Sequence, residues 1–194
     1  MNPTTEPLTG PLTGPLTGAR IRLRELRDED LADLVPWWQD PALMSTQTSG
    51  TLHPRSASPI ADQFRAWSGN SGTDPGLTVV TRDEGTVLGH VALFGADAHN
   101  RTATYAIIIG PPHQDQGYGT EATRLMLRYG FAELGLHRIQ LTAAGFNERG
   151  IHTYAKAGFL EEGRDRESVF RGGKWHDQVR MGILDREWWA ANPA

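Results

Sequence analysis

Arg20-Ile21-Arg22-Leu23-Arg24 alternates charged and apolar residues, the two-residue period of a strand with one buried face. From Asp28 the period lengthens. Leu31, Leu34 and Val35 share one face of a helix running to Asp40, with Asp28 as its cap and Pro36 expected to kink or break it. Met44 to Ser58 is rich in Ser and Thr and reads as a loop with some helix; a second helix should start near Ser58-Pro59 and carry Phe64 and Trp67. After a turn-rich stretch from Gly69 to Gly76, Leu77–Thr81 and Val87–Phe94 form a hairpin around Asp83-Glu84-Gly85. Thr102–Ile109 is a further strand, ending in Gly110-Pro111-Pro112.

The second half is more regular. Ala122, Leu125, Met126 and Tyr129 recur at helical spacing within Gly119–Leu134, and Gly135 stops that helix. Arg138–Ala143 alternates as a strand, Arg149–Ala157 is a short helix closed by Gly158, and Glu167–Phe170 with Gln178–Leu184 make a last hairpin around Gly172-Gly173. The order β-α-α-β-β-β-α-β-α-β-β predicts a mixed α/β sheet. Ahead of it, PLTG occurs three times in tandem, at Pro7–Gly10, Pro11–Gly14 and Pro15–Gly18. So little apolar mass cannot offset the ordering entropy of the chain, so residues 1–18 read as a flexible leader and residues 19–194 as one domain.

Composition narrows the chemistry. A net charge of −4 disfavours a generic nucleic-acid binder, which needs a basic surface. Without cysteine there is no disulfide, thiolate metal site or cysteine nucleophile, and the seven histidines offer no H-x-x-x-H pair, so no metal site is expected. No run is long and apolar enough to span a bilayer and no signal-peptide order is present, which makes a cytoplasmic location the expectation.

One segment carries chemistry. The apolar strand Ile107-Ile108-Ile109 runs into Gly110-Pro111-Pro112-His113-Gln114-Asp115-Gln116-Gly117-Tyr118-Gly119-Thr120, which opens an amphipathic helix. A helix start presents unpaired N–H groups and the positive end of the macrodipole, and Gly117 and Gly119 let an anion approach the main chain. Taken alone, the string is a weak signal and reads first as a plain glycine-rich helix start.

Gln114-x-x-Gly117-x-Gly119 resembles the coenzyme A pyrophosphate loop of the GNAT acetyltransferase superfamily. Asn147-Glu148-Arg149-Gly150-Ile151-His152-Thr153-Tyr154-Ala155-Lys156-Ala157-Gly158-Phe159 is similar to that family's second signature, at the family's spacing. Ile21-Arg22-Leu23-Arg24 with Asp28-Glu29-Asp30-Leu31, Trp37 with Asp40-Pro41, and Gly173-Lys174-Trp175-His176-Asp177 resemble the branch that includes ribosomal-protein N-terminal acetyltransferases. The resemblance spans about residues 20 to 189.

It implies a largely antiparallel sheet flanked by helices and splayed at the cofactor slot, with acetyl-CoA as co-substrate. Backbone amides from Gln116 through Thr120, Tyr118 included, would hold the pyrophosphate. Main-chain groups of Ile107 and Ile109 would pair with the pantetheine arm, as an added strand pairs with a sheet edge. Asn147 would help hold that arm, although it could equally cap the next helix. Tyr154 would protonate the leaving thiolate, the alternative being a half-buried packing role. Lys156 would face the adenosine phosphate or solvent.

The base is open. Thr104 stands where many relatives have an acidic residue, leaving a water chain, or Tyr105 or His90 by position. Trp37 and Trp38 would line an acceptor pocket or pack in the core. The acceptor is an amine, with a protein or peptide N-terminus as first reading and a small-molecule amine, or a non-catalytic coenzyme A module, as alternatives. The resemblance also implies a homodimer, with Trp188 and Trp189 as exposed candidates for its interface.

Overall fold

The computed structural model describes residues 16–193. Its seven strands form one sheet in the order β1-β2-β3-β4-β5-β7-β6. These are β1 (Ile21–Arg24), β2 (Gly76–Thr81), β3 (Val87–Asp97), β4 (Thr102–Ile109), β5 (Arg138–Ala144), β6 (Leu160–Arg171) and β7 (Lys174–Leu184). The helices are α1 (Leu31–Gln39), α2 (Pro41–Gln47), α3 (Ala57–Trp67), α4 (Tyr118–Ala132), α5 (Glu148–Ala157) and α6 (Asp185–Ala191). All neighbouring strands run antiparallel except β4 and β5. This is the mixed, mostly antiparallel sheet expected from the sequence.

The parallel pair positions the site. β4 and β5 pair only at Thr102–Arg138, Ala103–Ile139 and Thr104–Gln140. Beyond Thr104, β4 follows β3 as far as Ile109, while β5 follows β7 as far as Ala144. Each strand keeps its outer partner, so the sheet opens between the inner two.

Two apolar layers cover the sheet. On one face, α4 places Ala122, Leu125 and Met126 against Ile21, Val91 and Ile139, all fully buried. On the other, α1 and α3 bury Leu34, Ile60 and Phe64 with Trp38 and Trp67 packed around them. Burying each such side chain contributes about 1.5–3 kcal/mol. Asp30, 1% exposed, is held there by Arg24 Nη1 and Nη2 at 2.7 Å each, by the Arg27 amide at 2.9 Å and by Thr78 Oγ1 at 3.1 Å. Burial alone would raise the Asp30 carboxyl, but these donors outweigh it and hold the group below the usual carboxylate range.

Several expectations change. α1 continues through Pro36 to Gln39 instead of breaking, because Leu34 and Val35 anchor it on the second layer. Asp28 does not cap it; a single 3-10 turn, Asp28–Asp30, precedes the helix. The stretch from Met44 holds the end of a helix that starts earlier, at Pro41, with the Asp40 carboxylate accepting from the Ala42 amide at 2.8 Å. β6 and β7 are far longer than the expected hairpin strands, and α6 was not foreseen. Trp188, expected at the surface, is 2% exposed and packs beside Phe131.

Most of the PLTG leader lies outside the described residues. Leu16, Thr17 and Gly18 lie within them, folded onto β1. The Leu23 amide donates to the Leu16 carbonyl at 2.8 Å, the Gly18 amide donates to the Ile21 carbonyl at 2.9 Å, and Leu16 packs against the main core. Among the described residues, no helix is long and apolar enough to cross a membrane.

Candidate active site

The gap between β4 and β5 widens into a cleft, floored by β4, closed at one end by the loop before α4 and walled by α5. Ile107, Ile109, Gln114, Gly117, Gly119, Thr120, Asn147 and Tyr154 line it, eight of the residues nominated from the sequence. Thr46, Gln47, His113, Asp115, Arg149, Gly150 and Thr153 line it as well.

Main-chain directions along β4 follow from its partners. The Gly110 amide donates to Leu88 on β3, whereas the Ile109 carbonyl accepts from Gln114 Nε2 at 2.9 Å. Backbone groups of alternate residues face the same edge of a strand. Ile109 and Ile107 thus turn their main-chain groups to the open gap, and Ile108 turns its own to β3.

The loop owes its shape to a few contacts. Gly117 sits at φ 82°, in the left-handed region, and forms the N-cap of α4. The indole of Trp37 covers Gly110 on the far side of the strand end and meets His113 edge-on at 5.9 Å. Arg149 Nη1 donates to Gln114 Oε1 at 2.5 Å, tying α5 to the loop.

Asn147 caps α5, its Oδ1 accepting from the Gly150 amide at 3.0 Å, and Nδ2 lies 3.5 Å from the Thr46 carbonyl. The capping reading therefore holds, and the same side chain also faces the cleft. Tyr154 stands about two turns further along α5, its ring against Tyr105 and Phe159 at 6.1 Å each. Burial pushes its hydroxyl up to about 12, so it stays protonated across the neutral range.

Other nominated residues lie elsewhere. Gln116 turns its side-chain amide back to the Pro112 carbonyl, and the Tyr118 ring lies beneath Arg20, so only their main chains belong to the loop. Lys156 is exposed and does not line the cleft; its carbonyl accepts from Arg124.

Neither side chain suggested as base reaches the cleft. His90 is 3% exposed among Phe64, Trp67 and Ser68, and burial lowers it to about 4. Tyr105 is 3% exposed and hydrogen-bonded to Thr123. Trp38 packs in the second layer and Trp37 on Gly110, so core packing accounts for both.

Thr46 and Gln47, from the motif-free segment Met44–Ala57 where acceptor contacts are expected, and Arg149 of the second signature also reach the cleft. No local pattern marks the first two; all three arrive by packing of α2 and α5 around the gap. Among the described residues, no three His, Asp or Glu side chains cluster as metal ligands.

Known proteins share this architecture. Residues 20–160 match the acetyltransferase (GNAT) domain family. The chain is 32% identical over 174 residues to the candidate ribosomal N-acetyltransferase YdaF of Bacillus subtilis, covering 87% of this chain and 92% of that one. Over 110 residues it is 36% identical to a spermidine N(1)-acetyltransferase of Vibrio cholerae, covering 57% of this chain and 64% of the other. A crystal structure of spermidine N-acetyltransferase from Vibrio cholerae in complex with CoA and spermine superposes with a TM-score of 0.77 at 27% identity, covering 87% and 97% of the two chains. The sheet, the glycine loop and the length of the match agree: the chain belongs to the GNAT family and is an N-acetyltransferase.

Proposed function

We propose that this enzyme transfers the acetyl group of acetyl-CoA to the N-terminal amine of a protein or peptide, by direct attack within one ternary complex. The observation that carries the reading is a single cleft combining an open strand edge, the glycine loop at a helix start and a protonated tyrosine hydroxyl. Main-chain amides from Gln116 to Thr120 suit a diphosphate. The Ile107 and Ile109 main chain suits an extended amide-bearing arm such as pantetheine.

In the reaction the amine nitrogen bonds to the thioester carbonyl carbon and the C–S bond breaks. The departing sulfur takes a proton from Tyr154, the amine gives its proton to water, and water returns a proton to the Tyr154 oxygen, leaving the amide, the free thiol and the resting enzyme. A β4 amide can steady the oxyanion. Holding both reactants in one cleft removes much of the barrier without a covalent enzyme intermediate.

Charge guides the choice of acceptor. Residues 41–61, which supply Thr46 and Gln47 to the cleft, contain no Asp or Glu. Asp115 is the one carboxylate lining the cleft among the described residues, and it faces Arg149 at 3.5 Å. A polyamine with several positive charges would gain little there, whereas a single amine on a peptide needs no acidic lining.

Similarity to spermidine acetyltransferases supports the second reading, a small-molecule amine. Release of free thiol from acetyl-CoA, measured across N-terminal peptides, spermidine and spermine, separates the two. Turnover of peptides well above polyamines is the expected result, and the reverse order overturns the acceptor assignment.

A further inference from the structure

The turn that opens α4 is braced by Thr123 of the helix itself, by Tyr105 of β4 behind it, and by Arg20, which precedes β1. Thr123 Oγ1 donates to the Gly119 carbonyl at 2.7 Å. A hydroxyl has one proton to give, so in the 2.8 Å contact between Thr123 Oγ1 and the Tyr105 hydroxyl, Tyr105 is the donor. The chain therefore runs in one direction, from Tyr105 on β4 through Thr123 to Gly119. On the other side of the turn, Arg20 Nη1 donates to the Gln116 carbonyl at 2.9 Å. Glu121 fixes Arg20 in turn, accepting from its Nε at 3.0 Å and from its main-chain amide at 2.9 Å, while the guanidinium lies 5.0 Å over the Tyr118 ring.

Each held carbonyl belongs to a peptide plane whose N–H is the next residue's. A trans peptide is rigid, with C=O and N–H pointing opposite ways. Fixing the Gly119 oxygen thus aims the Thr120 N–H, and fixing the Gln116 oxygen aims the Gly117 N–H. Gly117 and Thr120 both line the cleft. A carbonyl that accepts a hydrogen bond also polarises its amide and strengthens the N–H as a donor.

We propose that Arg20 and the Tyr105–Thr123 pair are positioning residues for the diphosphate of acetyl-CoA, holding two main-chain donors of the glycine loop in the orientation that receives it. The inference rests on the acetyl-CoA reading above. A structural role alone accounts less well for the arrangement. A tyrosine hydroxyl in an apolar core costs free energy unless paired, and phenylalanine would fill the same space. Arg20 is half exposed, yet all three of its donor contacts converge on the residues that frame one turn.

The test compares KM for acetyl-CoA with KM for S-acetylpantetheine, which keeps the thioester and the arm but has no diphosphate. The wild-type enzyme should prefer acetyl-CoA. Thr123→Val and Arg20→Gln should each shrink that preference roughly three- to tenfold, the effect of one weakened hydrogen bond. Tyr105→Phe should shrink it less, and Thr123→Ser, which keeps the donor, should restore it. Should Thr123→Val fail to fold, Tyr105→Phe and Arg20→Gln decide the matter.

A preference that survives these substitutions, or an equal rise in KM for both donors, overturns the positioning role and leaves the acetyl-CoA site standing. A wild-type enzyme indifferent to the diphosphate overturns the site and the inference together.

Discussion

The six-membered ring of Trp37 lies so close to Gly110 that a Cβ on that glycine would sit 2.4 Å from Trp37 Cζ2. The contact joins α1 to the end of β4, where the chain leaves the sheet for the glycine loop. Of the two places the sequence left open for Trp37, pocket or core, it takes the packing one and sets the height of the strand end.

Gly110→Ala should therefore push the indole or the strand aside. Overpacking of this kind costs about 1–3 kcal/mol, and acetyl-CoA binding should weaken with it because the loop shifts. Thermal melting and calorimetry report the two effects. Unchanged melting and affinity would show that the indole moves freely.

Gly119 offers the opposite case. A Cβ there would meet Thr153 Cγ2 at 3.5 Å and Ile109 Cγ1 at 3.7 Å, both ordinary contacts. Gly119→Val should fold normally while filling the approach to the main chain, lowering acetyl-CoA affinity at least about tenfold. A folded variant with wild-type affinity, measured by calorimetry, removes the diphosphate from this turn.

Tyr154→Phe deletes one hydroxyl and keeps the ring against Tyr105 and Phe159. Loss of a general acid should lower kcat by roughly 10²–10⁴-fold with acetyl-CoA affinity nearly intact. Since burial pushes the group up to about 12, wild-type activity should show no fall from tyrosine ionisation near pH 10, the ordinary value. A variant within threefold of wild type, under chemistry-limited conditions, assigns Tyr154 to packing.

His90 gives stability a pH dependence. Its ordinary value is 6.5 and burial lowers it to about 4 in the folded protein. Above pH 6.5 both folded and unfolded chains hold it neutral. As pH falls from 6.5 to 4 the unfolded chain takes up a proton that the folded chain refuses, so stability is lost across that window, by up to about 3 kcal/mol. Urea unfolding at pH 7.5 and pH 4.5 should show a smaller drop in His90→Gln than in wild type. Equal drops in the two proteins exclude His90 as the source.

Leu16 and Gly18 each form a main-chain hydrogen bond to β1, and Leu16 adds apolar contact. A chain starting at Ala19 should be about 2 kcal/mol less stable than one starting at Leu16, near 4–8 °C in Tm. Equal melting temperatures would show that these contacts contribute nothing.

Local pattern determined much of this protein. β4 runs from Thr102 to Ile109, the bounds its sequence predicts, and the glycines of the two signatures mark the loop that opens α4 and the end of α5, because only certain residues suit such backbone turns. Elsewhere local pattern was silent. β6 extends from Leu160, but most of its residues are exposed, so no alternation betrays it; its pairing with β7 creates the strand. Tertiary packing alone decided which faces meet. It buried Trp188 on Phe131, turned His90 into the layer beneath α3 and away from the cleft, and brought the Thr46 carbonyl within 3.5 Å of Asn147, 101 residues away. Residue type and spacing fix the conformation of a turn or a helix start, whereas the partner of a distant side chain is fixed by how the layers close on one core.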